Sequence, residues 1–244
     1  MGVVEQIEEL FMDWAKDDCF AKTGELGQFV PDGIVDYEMF ETAKRKLLFV
    51  LRDSHDKDNK YGKRGICDEV LYSHNSGRTW NPIAIWARAL LNDSPSINPI
   101  NTLGKEEIQK CLRRVAIMNL KKASGGGSAH EVQEYTERHA NRIFKEIQLI
   151  NPDIIIACGH DVYNLLAENV FGLEMNSVTK KVILNDKMKN YGHIIDVSKA
   201  TKTDTPTFLV HYRHPNRCTV SGNYETHCNN MKKIREEIDR MILL

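Results

Sequence analysis

The sequence predicts a single α/β domain: three layers, α/β/α, around a central, mainly parallel four-stranded sheet. Two observations carry this. Four short apolar runs, 47–51 (LLFVL), 115–118 (VAIM), 154–157 (IIIA) and 206–210 (PTFLV), each end abruptly in a polar loop. Such a run marks a strand buried on both faces, which requires helices above and below the sheet. Stretches with helical spacing lie between the runs, and strands alternating with helices build a parallel sheet.

The elements follow in order. Residues 3–16 place Val4, Ile7, Leu10, Phe11 and Trp14 on one helical face, an N-terminal helical extension of the domain. VPDG at 30–33 signals a turn. A helix is expected over about 36–45, before the first strand. Further helices are expected over 82–91, 105–113, 129–150 and 160–169. The last, 224–243, carries Met231, Ile234, Ile238, Met241 and Ile242 on one face. No internal repeat interrupts the chain, and SGGGS at 124–128 is too short for a domain linker. Residues 1–244 therefore read as one domain.

Charge and cysteine content narrow the function classes. Lys and Arg number 33 against 34 Asp and Glu, a net charge of −1. That excludes a surface coated in basic residues for bulk phosphate binding, so any nucleic-acid role needs a local patch. The six cysteines are scattered without a CxxC pair. The acidic, helix-like start MGVVEQIEEL does not read as a signal peptide. Free thiols in a reducing cytoplasm are expected. No window approaches the roughly 18 apolar residues of a membrane helix, so no membrane partner is expected.

In parallel sheets, ligands bind beyond the carboxyl ends of the strands. The first strand ends in Arg52-Asp53-Ser54-His55-Asp56, the second in Asn119 followed by Lys121, Lys122 and a glycine run, and the last in HYRHPNR, His211 to Arg217. An Asp orients water or supports a cation, or simply caps a helix. Asn119 interrupts a run that should be buried; its amide offers a donor and an acceptor to an amide or imide edge, or it bonds to backbone. Two His and two Arg within seven residues are hard to bury in a core. A His there could polarise a departing oxygen or donate a hydrogen bond to a developing anion.

Taken in order, these pieces resemble the uracil-DNA glycosylase superfamily. LFVLRDSHD stands where that family has GQDPYH or GEAPG after its first core strand. AIMNLKKASGG is similar to TNVVKCRPP, and INPDIIIACGHDVYNLL to PKVIVTLGATAAKALL. LVHYRHPNR stands where the family has HPS or YHPA. The resemblance spans about residues 46–217. It implies a glycosylase that flips a uracil-like or modified base out of DNA and hydrolyses its N-glycosidic bond, in repair or in defence against modified foreign DNA.

Asn119 matches the base-reading Asn, His214 the His that stabilises the leaving base, and Gly159 the glycine of the third motif. Asp53 falls on the Glu of GEAPG, and Ser54 on the Asp of GQDPYH. The implied catalytic pair is therefore Asp53 and His214. Base contacts are expected from Asn119, Ser54 and a stacking Tyr72, with Tyr61 and Trp80 as rivals. DNA contacts are expected from Arg52, Lys121, Lys122, Arg213, Asn216 and Arg217.

The sequence departs from the family at Arg52, where the motif has Gly, and at His55, where it has Pro. Asn216 and Arg217 replace small residues, and the cysteines do not match the iron–sulfur set of the thermophilic branch. The long segment 53–81 could reshape the pocket for a larger base. No cofactor and no metal is expected; the partner is DNA, single- or double-stranded, and the chain is expected to act as a monomer in the cytoplasm.

Three other readings compete. One is a glycosylase-like fold that binds nucleic acid or a nucleotide without cleaving it, favoured by the altered first loop. Another is a metal hydrolase using His211, His214, Cys218, His227 and Cys228, whose spacing is not a standard zinc frame. The last is a Rossmann-type nucleotide enzyme, which would need a GxGxxG after a strand.

Overall fold

A computed structural model describes residues 2–17, 29–54, 65–72, 78–92, 104–124, 127–174, 177–184, 188–202, 205–218 and 224–243. Among these, seven strands form one sheet: β1 (Gly33–Ile34), β2 (Leu47–Asp53), β3 (Val115–Lys121), β4 (Ile154–Cys158), β5 (Lys180–Lys181), β6 (His193–Asp196) and β7 (Phe208–Tyr212), in the spatial order β1-β3-β2-β4-β7-β6-β5. The four apolar runs become its parallel centre, β3, β2, β4 and β7. The expectation of a four-stranded sheet is thus corrected to seven strands. β1, β5 and β6 are antiparallel additions at the two edges. They are two to four residues long, too short to print an apolar run in the sequence.

The helices are α1 (Val3–Trp14), α2 (Tyr37–Glu41), α3 (Ile66–Tyr72), α4 (Trp80–Leu91), α5 (Lys105–Leu112), α6 (Ala129–Ile150), α7 (His160–Leu165), α8 (Ser198–Thr201) and α9 (Tyr224–Ile242). α7 continues as a π-helical turn over Leu166–Val170. α2 is shorter than the expected 36–45 and starts where the Asp36 carboxylate accepts the Met39 N–H at 3.2 Å. α3 and α8 have no counterpart among the expected helices. No helix among the described residues is long and apolar enough to cross a membrane.

Strand side chains alternate between the two faces of the sheet. Leu47, Phe49, Val115, Ile117, Ile154, Ile156, Phe208 and Val210 pack in one core with residues of α4, α5 and α9. Leu48, Val50, Ala116, Met118, Leu120, Ile155, Ala157 and Leu209 pack in the other with α1, α6 and α7. The sheet is therefore covered by helices on both faces. α4 is buried almost throughout, and its Trp86 meets Tyr212 of β7 edge-on at 5.0 Å between ring centres.

Candidate functional site

The same alternation builds the site. Asn119 continues the row Val115–Ile117, Asp53 the row Leu47–Phe49–Leu51, and Cys158 the row Ile154–Ile156, all toward the α4 side. Where these rows leave the sheet at its carboxyl edge they line a cavity of about 560 Å³. Seven of the residues expected from the sequence share it: Arg52, Asp53, Ser54, Asn119, His214, Asn216 and Arg217.

Each is held by its own contacts. Asn119 is 2% exposed, and its Oδ1 has no hydrogen-bond partner among the described residues. A buried carbonyl in that state costs free energy that a bound donor recovers. The Asp53 carboxylate is doubly engaged: Oδ2 accepts the Gly127 N–H at 2.6 Å, and Oδ1 accepts Arg52 Nε at 3.2 Å. This joins the end of β2 to Gly127. Gly125 and Gly126, like His55 and Tyr61, lie outside the described residues. At the third loop, Pro215–Arg217 forms one 3₁₀ turn, and His214 Nδ1 accepts the Asn216 N–H at 3.3 Å. An imidazole that accepts at Nδ1 carries its proton on Nε2, the tautomer that can donate to a ligand. Asn216 in turn takes the Thr79 hydroxyl at 2.6 Å, tying this loop to the entrance of α4.

Four expected site residues stand elsewhere. Lys122 is completely buried and bears no DNA-facing group. By alternation it points to the α1 and α6 side, where it pairs with Asp32 and, at 2.7 Å, with Glu146, and lies over the Phe11 and Trp14 rings at 5.4 and 5.5 Å. Lys121 is also buried, with Nζ beside Gly127, so it is not a surface cation either. Tyr72 is 73% exposed and does not line the cavity; its rival Trp80 does. Arg213 is half-buried and outside the cavity lining, and its charge is felt at Tyr212, Cys218 and His227. Of the basic residues expected to contact DNA, Arg52, Lys121, Lys122, Arg213 and Arg217, only Arg52 and Arg217 line this cavity.

The buried triad beneath the site was not legible. Asp32 Oδ2 accepts the Asn119 backbone N–H at 2.7 Å while Oδ1 meets Lys122. Burial alone would lower the Lys122 pKa, but the Asp32 and Glu146 carboxylates outweigh it and leave it raised. Burial raises Glu146 well above the usual carboxylate range, against the pull of Lys122. The VPDG signal gave only a turn here. Glu69, which accepts Trp80 Nε1–H at 3.3 Å, and His160, Asp161 and Tyr191 also line the cavity. His160 follows Gly159 at a strand end and could have been singled out there; Tyr191 carries no motif signal.

Among the described residues, no cluster of three or more His, Cys, Asp or Glu side chains is placed to hold a metal ion. His211 and Tyr212 point to opposite faces of β7, and His227 is bonded to the Tyr212 hydroxyl at 2.9 Å. His211 and His227 are thereby kept apart, against the metal-hydrolase reading. A scan of the chain against protein-family models gives no match, and a search of curated proteins gives none.

Proposed function

We propose that this chain is a DNA glycosylase related to the uracil-DNA glycosylase superfamily, acting on a base flipped into the cavity beside Asn119. The observation that carries the reading is the Asn119 amide: buried, clamped through its backbone by Asp32, and unpartnered at Oδ1 within a cavity that also holds Asp53 and His214. A buried amide left open to a ligand suits bidentate recognition of a base edge.

In this mechanism the C1′–N bond breaks and its electrons leave with the base. His214 Nε2–H donates to the base oxygen as negative charge builds, as in an oxyanion hole. The Asp53 carboxylate stabilises the oxocarbenium sugar and aligns the water whose oxygen bonds to C1′. The water's proton leaves to the base or to solvent. Arg52 and Arg217 contact the backbone phosphates. The target is single- or double-stranded DNA, and the chain works as a monomer in the cytoplasm.

One observation favours a second reading, a non-catalytic nucleobase or nucleotide binder: both Asp53 oxygens already accept protein donors. Incubation with DNAs carrying uracil, hypoxanthine or bulky modified cytosines, followed by mass spectrometry of released bases, separates the two. Release of any one base supports the glycosylase. Tight binding to such DNA without release from the whole panel supports the binder.

A further inference from the structure

We infer that Tyr191, which stands outside every sequence motif of the site, is the wall on which the planar ring of the bound base stacks. The inference rests on the reading of the cavity as a base-recognition site and names the residue that grips the ring.

Three observations lead to it. Tyr191 lines the cavity and is half-buried, so the residue is packed yet still partly open. Its ring lies against His211, 4.8 Å between ring centres, and His211 itself stacks on Tyr163 at 4.6 Å and 17°. His211 is 1% exposed, and neither of its ring nitrogens has a hydrogen-bond partner among the described residues. It serves as an apolar plate, and burial, aided by His160 and His193, holds it neutral with a pKa pushed down to about 3.

The Tyr191 backbone is fixed as well. Its N–H reaches the Met188 carbonyl at 2.9 Å, and the next N–H, of Gly192, reaches the His211 carbonyl at 2.9 Å. Gly192 has φ +82°, and a Cβ there would stand 2.7 Å from the Val182 carbonyl oxygen, so the turn presenting Tyr191 depends on glycine. A rigid aromatic ring pre-placed at a cavity wall loses little freedom on stacking. The rival wall, Trp80, is less available: it is only 7% exposed and its Nε1–H is committed to Glu69.

The test uses the full chain and two single-stranded oligonucleotides, one carrying 2-aminopurine and the other a tetrahydrofuran abasic site at the same position. Stacking on an aromatic ring quenches 2-aminopurine fluorescence. Wild type should bind the 2-aminopurine strand more tightly than the abasic strand and quench it. Tyr191→Leu, which keeps apolar bulk without an aromatic face, should lose the quenching and about tenfold or more of that preference, the scale of one base–aromatic stack. Tyr191→Phe should retain both. A Leu variant that quenches and discriminates like wild type overturns the inference, as does a wild type that does not quench or treats both strands alike. If discrimination and quenching hold while no substrate in the base-release panel is cleaved, the glycosylase reading falls and the stacking wall stands.

Discussion

Asp32 holds Asn119 by its backbone: the carboxylate Oδ2 accepts the Asn119 N–H at 2.7 Å, next to the short strand β1 that pairs with β3. Its other oxygen meets Lys122, whose ammonium also pairs with Glu146. A buried triad shielded from water thus underlies Asn119, a cavity-lining side chain whose carbonyl has no hydrogen-bond partner among the described residues. Asn119 and the core that supports it are one unit, and their energetics can be separated by substitution.

Lys122→Met should cost about 3–5 kcal/mol, because it leaves the Asp32 and Glu146 carboxyl groups buried without their cation. Equilibrium urea unfolding reads this directly. A loss under about 1 kcal/mol, the value of an exposed ion pair, would show that Lys122 is solvated.

Asn119→Leu should leave the unliganded fold as stable as wild type or more stable, since it replaces a buried acceptor that has no partner, a group costing about 1–3 kcal/mol, with an apolar group of similar size. The same variant should lose base-dependent binding. A marked fall in thermal stability would mean that the amide is satisfied within the protein.

Asp53→Asn should abolish base release while DNA binding survives, because an amide oxygen can still accept the Gly127 N–H. His214→Ala should slow the chemical step by about 10²–10³, by analogy with loss of one oxyanion donor. Single-turnover rates check both; wild-type rates in either variant would remove that residue from the mechanism.

Acid should unfold the protein through its buried histidines. Burial holds His139 and His227 at about 4 and His211 at about 3. In the unfolded chain an imidazole titrates near about 6.5. Stability from these neutral rings is therefore whole above about pH 6.5 and is lost as pH falls toward about 4, by up to about 1.4 kcal/mol per pH unit for each ring. Glu146 opposes them: its raised pKa means the folded state keeps a proton that the unfolded state releases. Urea titrations across this range should show net proton uptake on unfolding, and His211→Phe should flatten the slope by one ring's share.

Gly65→Ala should displace the start of α3 from β1. A Cβ at Gly65 would stand 2.2 Å from the Pro31 carbonyl oxygen, which accepts the Ile66 N–H at 3.0 Å, and φ there is +53°. The expected loss is about 1–3 kcal/mol of strain, read by thermal unfolding. A neutral effect would mean that residues 65–72 are free to shift.

Much of this was written along the chain. The parallel core was legible because a strand buried on both faces must be apolar at every position, and LLFVL, VAIM and IIIA satisfy that locally. The strand-end rule then located Asp53, Asn119 and His214 at one edge, since successive parallel strands point their carboxyl ends the same way. The short edge strands were not legible, because two to four residues carry no period.

What sequence alone determined is the layered sheet and the loops that converge at its carboxyl edge. What tertiary structure decided is which charges face the cavity. Lys121 and Lys122 look alike in sequence, one after the other at a strand end, yet alternation sends Lys122 to the opposite face, where two distant carboxylates receive it. Tyr72 is the tyrosine expected to stack and Tyr191 carries no motif signal, yet packing leaves the first outside the cavity and backs the second with His211. A lysine's role depends on the field at its ammonium and a tyrosine's on what covers its ring. Both are set by residues far away in the chain, which local pattern does not record.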